Sequence, residues 1–193
     1  MYSKAKLGGH PIHPMLVGFP IAFYTATLVT LLVHASTGDP FWFRAALTLN
    51  VAGLVMAVAA VIPGAIDLFS GIPAETPARR TGVRHAAFNV VANVMFLLSA
   101  IFLWRAWDVR EVVDGRVVLE SAAPILFSLV GIAAMLVAGW LGWQLVQKHH
   151  VGVEPGPDLD VDDRRIHGTL PGQPVGPPPV TPDDRGVGPT GLH

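Results

Sequence analysis

Two imidazoles stand three residues apart in Gly9-His10-Pro11-Ile12-His13-Pro14, each followed by a proline, and a third, His85, opens a long apolar run. Asp67 follows Pro63 and Gly64, while Asn89 and Asn93 come four and eight residues after His85. Imidazole and carboxylate are ligands for zinc, iron and copper, and imidazole is an axial ligand of haem iron. Cysteine is absent from the chain. That excludes disulfides, thiolate zinc sites, cysteine-held iron–sulfur clusters and covalently attached haem within it. Any metal or haem is therefore held by His, Asp, Met or backbone groups.

A residue before proline is biased toward extended or polyproline geometry, where a repeat of three at about 3.1 Å per residue puts His10 and His13 on one side, about 9 Å apart. That is far for shared ligation of one ion. Pro14 suits the first turn of a helix, so the economical arrangement makes one His a ligand and the other a support or cap. At 100° per residue, His85, Asn89 and Asn93 lie within about 80° of one helix face. Asn also serves as ordinary interhelical glue, but an ionisable group beside it inside a membrane is costly and points to function. Asp67 has three open readings: a solvated helix end, a carboxylate that orients His85 or His13, or a proton relay. His34, His149 and His150 sit at helix ends and are expected to be structural.

The elements that carry these groups are four apolar runs at about residues 15–33, 43–66, 86–103 and 123–146. About 20 apolar residues at 1.5 Å rise cross roughly 30 Å of hydrocarbon, so each run is long enough to span. The chain has 193 residues, 51% hydrophobic and only 14% charged, and its mean hydropathy is +0.49. The fold expected is an all-α membrane protein, an antiparallel bundle of four transmembrane helices over residues 1–150. A signal-peptide reading of the first run is disfavoured by Pro20 inside it and by the odd number of spans it would leave.

Residues 151–193 differ in kind. They hold 9 Pro and 8 Gly, and seven acidic against three basic residues, so a disordered acidic tail is expected. The first 150 residues carry ten basic against seven acidic. Neither part has the Lys/Arg stripe that nucleic acid requires. Trp42, Trp104 and Trp107 mark one interface, and Trp140 and Trp143 the other. Lys4, Lys6, Arg79, Arg80, Arg84 and Lys148 lie on the side of the N-terminus, against Arg44, Arg105, Arg110 and Arg116 opposite. This bias predicts that both termini are cytoplasmic. Between the third and fourth runs, β-rich stretches around Asp114-Gly115 predict a small hairpin. Pro20 and Pro63 each leave one helix carbonyl unbonded, at Leu16 and Ala59, and can kink their helices.

The string His10-Pro-Ile-His-Pro-Met-Leu-Val-Gly-Phe-Pro20, followed by Gly64-Ala-Ile-Asp67 and His85-Ala-Ala-Phe-Asn89, resembles a bacterial family of predicted membrane proteins, the domain-of-unknown-function family 2231. The resemblance covers about residues 8–147. Some members of that family are joined to a Rieske iron–sulfur domain, which implies a redox neighbourhood, although this chain lacks the Rieske cysteines. The family has no established activity to carry over.

Three functions remain in play. One is a small b-type haem electron-transfer subunit of the bacterial cytoplasmic membrane, with iron held by His85 and either His13 or His10, with Arg79, Arg80 and Arg84 at the propionates, and with a Rieske-type protein or quinone as redox partner. The second is a non-haem divalent metal site built from His10, His13, Asp67 and His85, supported by Asn89 and Asn93. The third is a membrane anchor or assembly subunit without chemistry of its own. A transporter is least favoured, since no inverted repeat is visible.

Overall fold

The computed structural model describes residues 3–109, 111–113, 116–118 and 121–153. A short ladder of β1 (Lys6–Leu7) on β2 (His10–Pro11) leads into α1 (Ile12–Leu16), α2 (Gly18–Thr37), α3 (Pro40–Ile66), α4 (Pro77–Val109) and α5 (Ala123–Gln147). Four continuous segments, Ile12–Thr37, Pro40–Gly71, Pro77–Trp107 and Ala123–Gln147, are long and apolar enough to cross a bilayer. They contain the four expected spans and extend past them at most ends. Outward positions stay apolar, as at Val55, Val58, Leu126 and Leu136, because the solvent they meet is hydrocarbon and not water.

Local signals explain the helix ends. Gly38 takes a left-handed conformation after α2, with φ 69°, and its N–H bonds the His34 carbonyl. Asp39 then caps α3 by accepting from the Phe41 N–H at 2.8 Å, with Pro40 in the first turn. The helix breaks at Val17, next to the Leu16 carbonyl that Pro20 leaves without its usual donor. Beyond Pro63 the backbone passes into one π-helical turn, Asp67–Gly71, whose loose end is held by Arg79: its guanidinium donates to the Leu68 carbonyl and to the Ile72 carbonyl at 3.2 Å. His13 departs from the extended geometry expected before a proline, since it lies inside α1. Pro14 falls in the first turn, where a missing N–H costs no helix bond, and the His13 side chain gains a partner on α3.

Helices α2 and α3 form one hairpin, α4 and α5 another. Equivalent residues recur between them at constant offsets: 72 for α1–α2 against α4 (13 to 85, 24 to 96, 27 to 99, 31 to 103) and 78 for α3 against α5 (50 to 128, 53 to 131, 60 to 138, 64 to 142). The paired residues occupy equivalent environments. A Cβ on Gly53 would lie 2.6 Å from the Tyr24 ring, and a Cβ on Gly131 would lie 2.7 Å from the Phe96 ring. Tyr24 and Phe96 stack face to face at 3.8 Å between the hairpins. The His13 and His85 rings meet nearer the start of the same helices, so α2 and α4 run parallel. The bundle thus holds a parallel internal repeat, a different thing from the inverted repeat sought in the sequence.

Three apolar clusters lie along the bundle: Leu68, Ile72 and Ala78 at the His13 and His85 end, Tyr24, Ala57 and Phe96 in the middle, and Leu31, Phe43, Ala46, Leu47 and Leu103 toward the other end. Past α4, β3 (Glu111–Val113) pairs antiparallel with β4 (Arg116–Val118), as the expected hairpin requires. Its turn residues Asp114 and Gly115, and the tail from residue 154 onward, lie outside the described residues.

Candidate functional site

The end of the bundle that holds residues 3–13 brings two of the expected imidazoles together. His13 on α1 and His85 on α4 have ring centroids 6.2 Å apart and planes at 90°. Each ring is fixed the same way. His13 Nδ1 lies 2.8 Å from the Ala60 carbonyl on α3, and His85 Nδ1 lies 2.8 Å from the Ala138 carbonyl on α5. A carbonyl only accepts, so both Nδ1 atoms carry a proton, and Nε2 is the nitrogen of each ring left for another partner. This assignment follows from the bonding partners.

Glycine makes that approach possible. A Cβ at Gly64, one turn after Ala60, would stand 2.7 Å from His13 Nδ1, and one at Gly142, one turn after Ala138, would stand 3.2 Å from His85 Cε1. Helix backbones therefore serve both as hydrogen-bond acceptors and as flat walls for the rings. Both imidazoles are partly buried.

The polar stripe on α4 forms as spacing predicts, and it extends to a residue that spacing did not single out. Asn89 Nδ2 lies 3.1 Å from His85 Nε2 and also donates to the His85 carbonyl at 2.9 Å. Asn93 Nδ2 donates to the Asn89 carbonyl at 2.7 Å, and the Tyr24 hydroxyl donates to Asn93 Oδ1 at 2.6 Å. Tyr24 ends this polar stripe within the membrane. The repeated spacing His13 to Tyr24 and His85 to Phe96, with Gly53 to Gly64 and Gly131 to Gly142, is the sequence signal that would have found it.

The other candidates sit elsewhere. His10 is exposed on the β-ladder, with Nδ1 3.0 Å from the Gly8 carbonyl. The Asp67 carboxylate is taken up by the N-terminal segment, accepting from the Ser3 hydroxyl at 2.8 and 2.9 Å and from the backbone N–H groups of Lys4 and Ala5 at 2.7 and 2.9 Å. Among the described residues, no group of three His, Asp or Glu side chains gathers with metal-ligand geometry. Of the arginines, Arg79 closes the π turn and lies over the Phe69 ring, whereas Arg80 and Arg84 are exposed at the same end. His34 is buried at the far end, 3.1 Å from the Asp39 carbonyl and against Phe43, and His149 contacts the Thr81 hydroxyl.

What the arrangement offers chemically is a pair of imidazoles, each oriented by a helix carbonyl, with a polar stripe on α4 beside them. No curated protein and no solved structure matches the chain. The family model described as predicted membrane protein (DUF2231) matches residues 9–155, most of the chain and every element from His10 through α5, and with four membrane-length helices around it the chain belongs to that family of integral membrane proteins.

Proposed function

We propose that the protein is a small haem b-binding electron-transfer subunit, with the iron held between His13 and His85. The observation that carries this reading is the relation of the two rings. One ring comes from each hairpin, and their centroids lie 6.2 Å apart at one end of the bundle. Backbone acceptors on both Nδ1–H groups direct both Nε2 atoms to ligation, the usual means of orienting a metal-bound histidine. Ligation at His85 displaces the Asn89 amide from Nε2, and that amide keeps its bond to the His85 carbonyl.

The exposed Arg80 and Arg84 are the groups available to propionates at this end, since Arg79 already serves the π turn. The positive bias of this face supports a cytoplasmic position for both termini of the chain in a bacterial inner membrane. Reporter fusions to Gly115 and His193 test that orientation, with cytoplasmic signal expected from His193 alone.

The deciding experiment is the absorption spectrum of the protein purified in detergent, oxidised and reduced, with haem supplied during expression. A Soret band that shifts on reduction is expected, lost in His13→Ala and in His85→Ala and kept in His34→Ala. Stoichiometric zinc or copper by elemental analysis, with no Soret band, would replace this reading with the non-haem metal site. Folded protein with neither haem nor metal leaves a membrane anchor.

A further inference from the structure

A second polar feature lies deeper in the bundle, apart from the paired histidines and the Asn89–Asn93 stripe. Each membrane helix contributes one fully buried polar side chain at repeat-related positions: Thr27 on α2, Asn50 on α3, Ser99 on α4 and Ser128 on α5, all with no solvent exposure. In the second hairpin this layer closes on itself. Ser99 and Ser128 hydroxyls lie 3.1 Å apart, and Ser99 also donates to the Pro124 carbonyl. The first hairpin does not close. Thr27 gives its hydroxyl proton to the Phe23 carbonyl at 2.8 Å, and neither Oδ1 nor Nδ2 of Asn50 has a hydrogen-bond partner among the described residues.

An amide buried in a membrane with three bonding groups unmet is the costliest polar arrangement in the bundle, and such groups in native proteins are met by something bound. The surroundings define what that is. It must accept from the Asn50 N–H groups and donate to its Oδ1. It must be uncharged, because the layer holds hydroxyls and an amide and no charged side chain. It must also be very small, since the layer lies along these helices between the Tyr24, Ala57 and Phe96 cluster and the Leu31, Phe43, Ala46, Leu47 and Leu103 cluster. Water meets all three conditions, with two donors, two acceptors and room for two to four partners. We propose that the Asn50 layer is a water-binding site inside the membrane, completing in the first hairpin the polar contact that Ser99 and Ser128 make directly in the second. This inference is independent of the haem reading.

The test is a water–amide cross-relaxation measurement by NMR on the full chain in lipid nanodiscs. A cross-peak between water and the Asn50 side-chain N–H groups is expected, at a depth where the lipid-facing neighbours Val51 and Val55 show none. Asn50→Leu, or Asn50→Ser if the leucine variant does not accumulate, assigns the peak by removing it. Absence of the cross-peak in the wild-type protein, or its persistence in the variant, overturns the proposal.

Discussion

The two hairpins share a frame and differ in what they hang on it. Both press an aromatic ring against a glycine, at Gly53 and Gly131, and both turn an imidazole onto a helix carbonyl one turn before a glycine. Where α4 carries Asn89 and Asn93, however, the equivalent positions of the first hairpin are Val17 and Ile21. The first hairpin alone carries a hydroxyl on its stacked ring and a β-ladder bound through Asp67. What the halves share is what holds the rings in place. What differs is polar, and the part of it nearest the paired imidazoles is the Asn89–Asn93–Tyr24 stripe.

The frame is the part most sensitive to substitution. Gly64→Val puts branched atoms where the His13 ring lies, and overpacking of that kind costs about 1–3 kcal/mol beyond the loss of ring position. Gly142→Ala meets the His85 ring at a looser 3.2 Å and is expected to cost less, and Gly139→Ala, with open space around it, nothing measurable. Thermal unfolding in detergent should rank the three in that order. Equal effects at Gly64 and Gly139 would break the equivalence drawn between the hairpins.

Next in size is the N-terminal segment. Asp67→Asn replaces a charged acceptor of several bonds with a neutral one, and hydrogen bonds to charged groups contribute about 1.5–3 kcal/mol each against about 1 for neutral ones. Much of that is returned to water at this part-exposed position, so the expected outcome is local: faster amide exchange at Lys4 and Ala5 with the melting temperature of the bundle little changed. Unchanged exchange at both amides would remove the carboxylate from that role.

These features were unequally legible in the sequence. The four spans were plain, because hydrocarbon imposes a length and a composition on every residue of a crossing helix. His85, Asn89 and Asn93 were legible because one helix fixes their relative angles. The sequence leaves His10 and His13 as equal partners for His85, since a ring on α1 reaches α4 only through packing that glycines on α3 and α5 permit. Asp67 looked like a partner for imidazole because sequence places it near that end of the bundle, and the Ser3 hydroxyl and the two backbone amides that occupy it carry no signature. The repeat is hidden by substitution: Tyr for Phe, Thr for Ser and Asn for Ser keep the positions buried while erasing identity.

A smaller effect separates the two imidazoles. His85 Nε2 has the Asn89 amide beside it, whereas the residue equivalent to Asn89 in the first hairpin is Val17. Asn89→Val copies the first hairpin onto the second and frees Nε2 of a competing donor. If haem binds here, the variant is expected to take it up severalfold more tightly in a haemin titration, since a net hydrogen bond of about 0.5–1.5 kcal/mol no longer opposes ligation. Weaker binding would give Asn89 the opposite role, as a support for the ligand state.

The smallest expected effect tests the asymmetry at the centre. Tyr24→Phe makes the stacked pair identical, Phe on Phe, and removes only the hydroxyl that donates to Asn93 Oδ1 at 2.6 Å. Polar bonds between membrane helices average about 0.6 kcal/mol in double-mutant measurements, and ring stacking and burial are untouched, so stability should fall by roughly that amount. Asn93→Val should cost more, because it also removes the bond from Asn93 Nδ2 to the Asn89 carbonyl, and the double variant little more than Asn93→Val alone, because the Tyr24–Asn93 bond is already lost in it. Additive losses would mean that Tyr24 and Asn93 act separately, and that the polar stripe ends short of Tyr24.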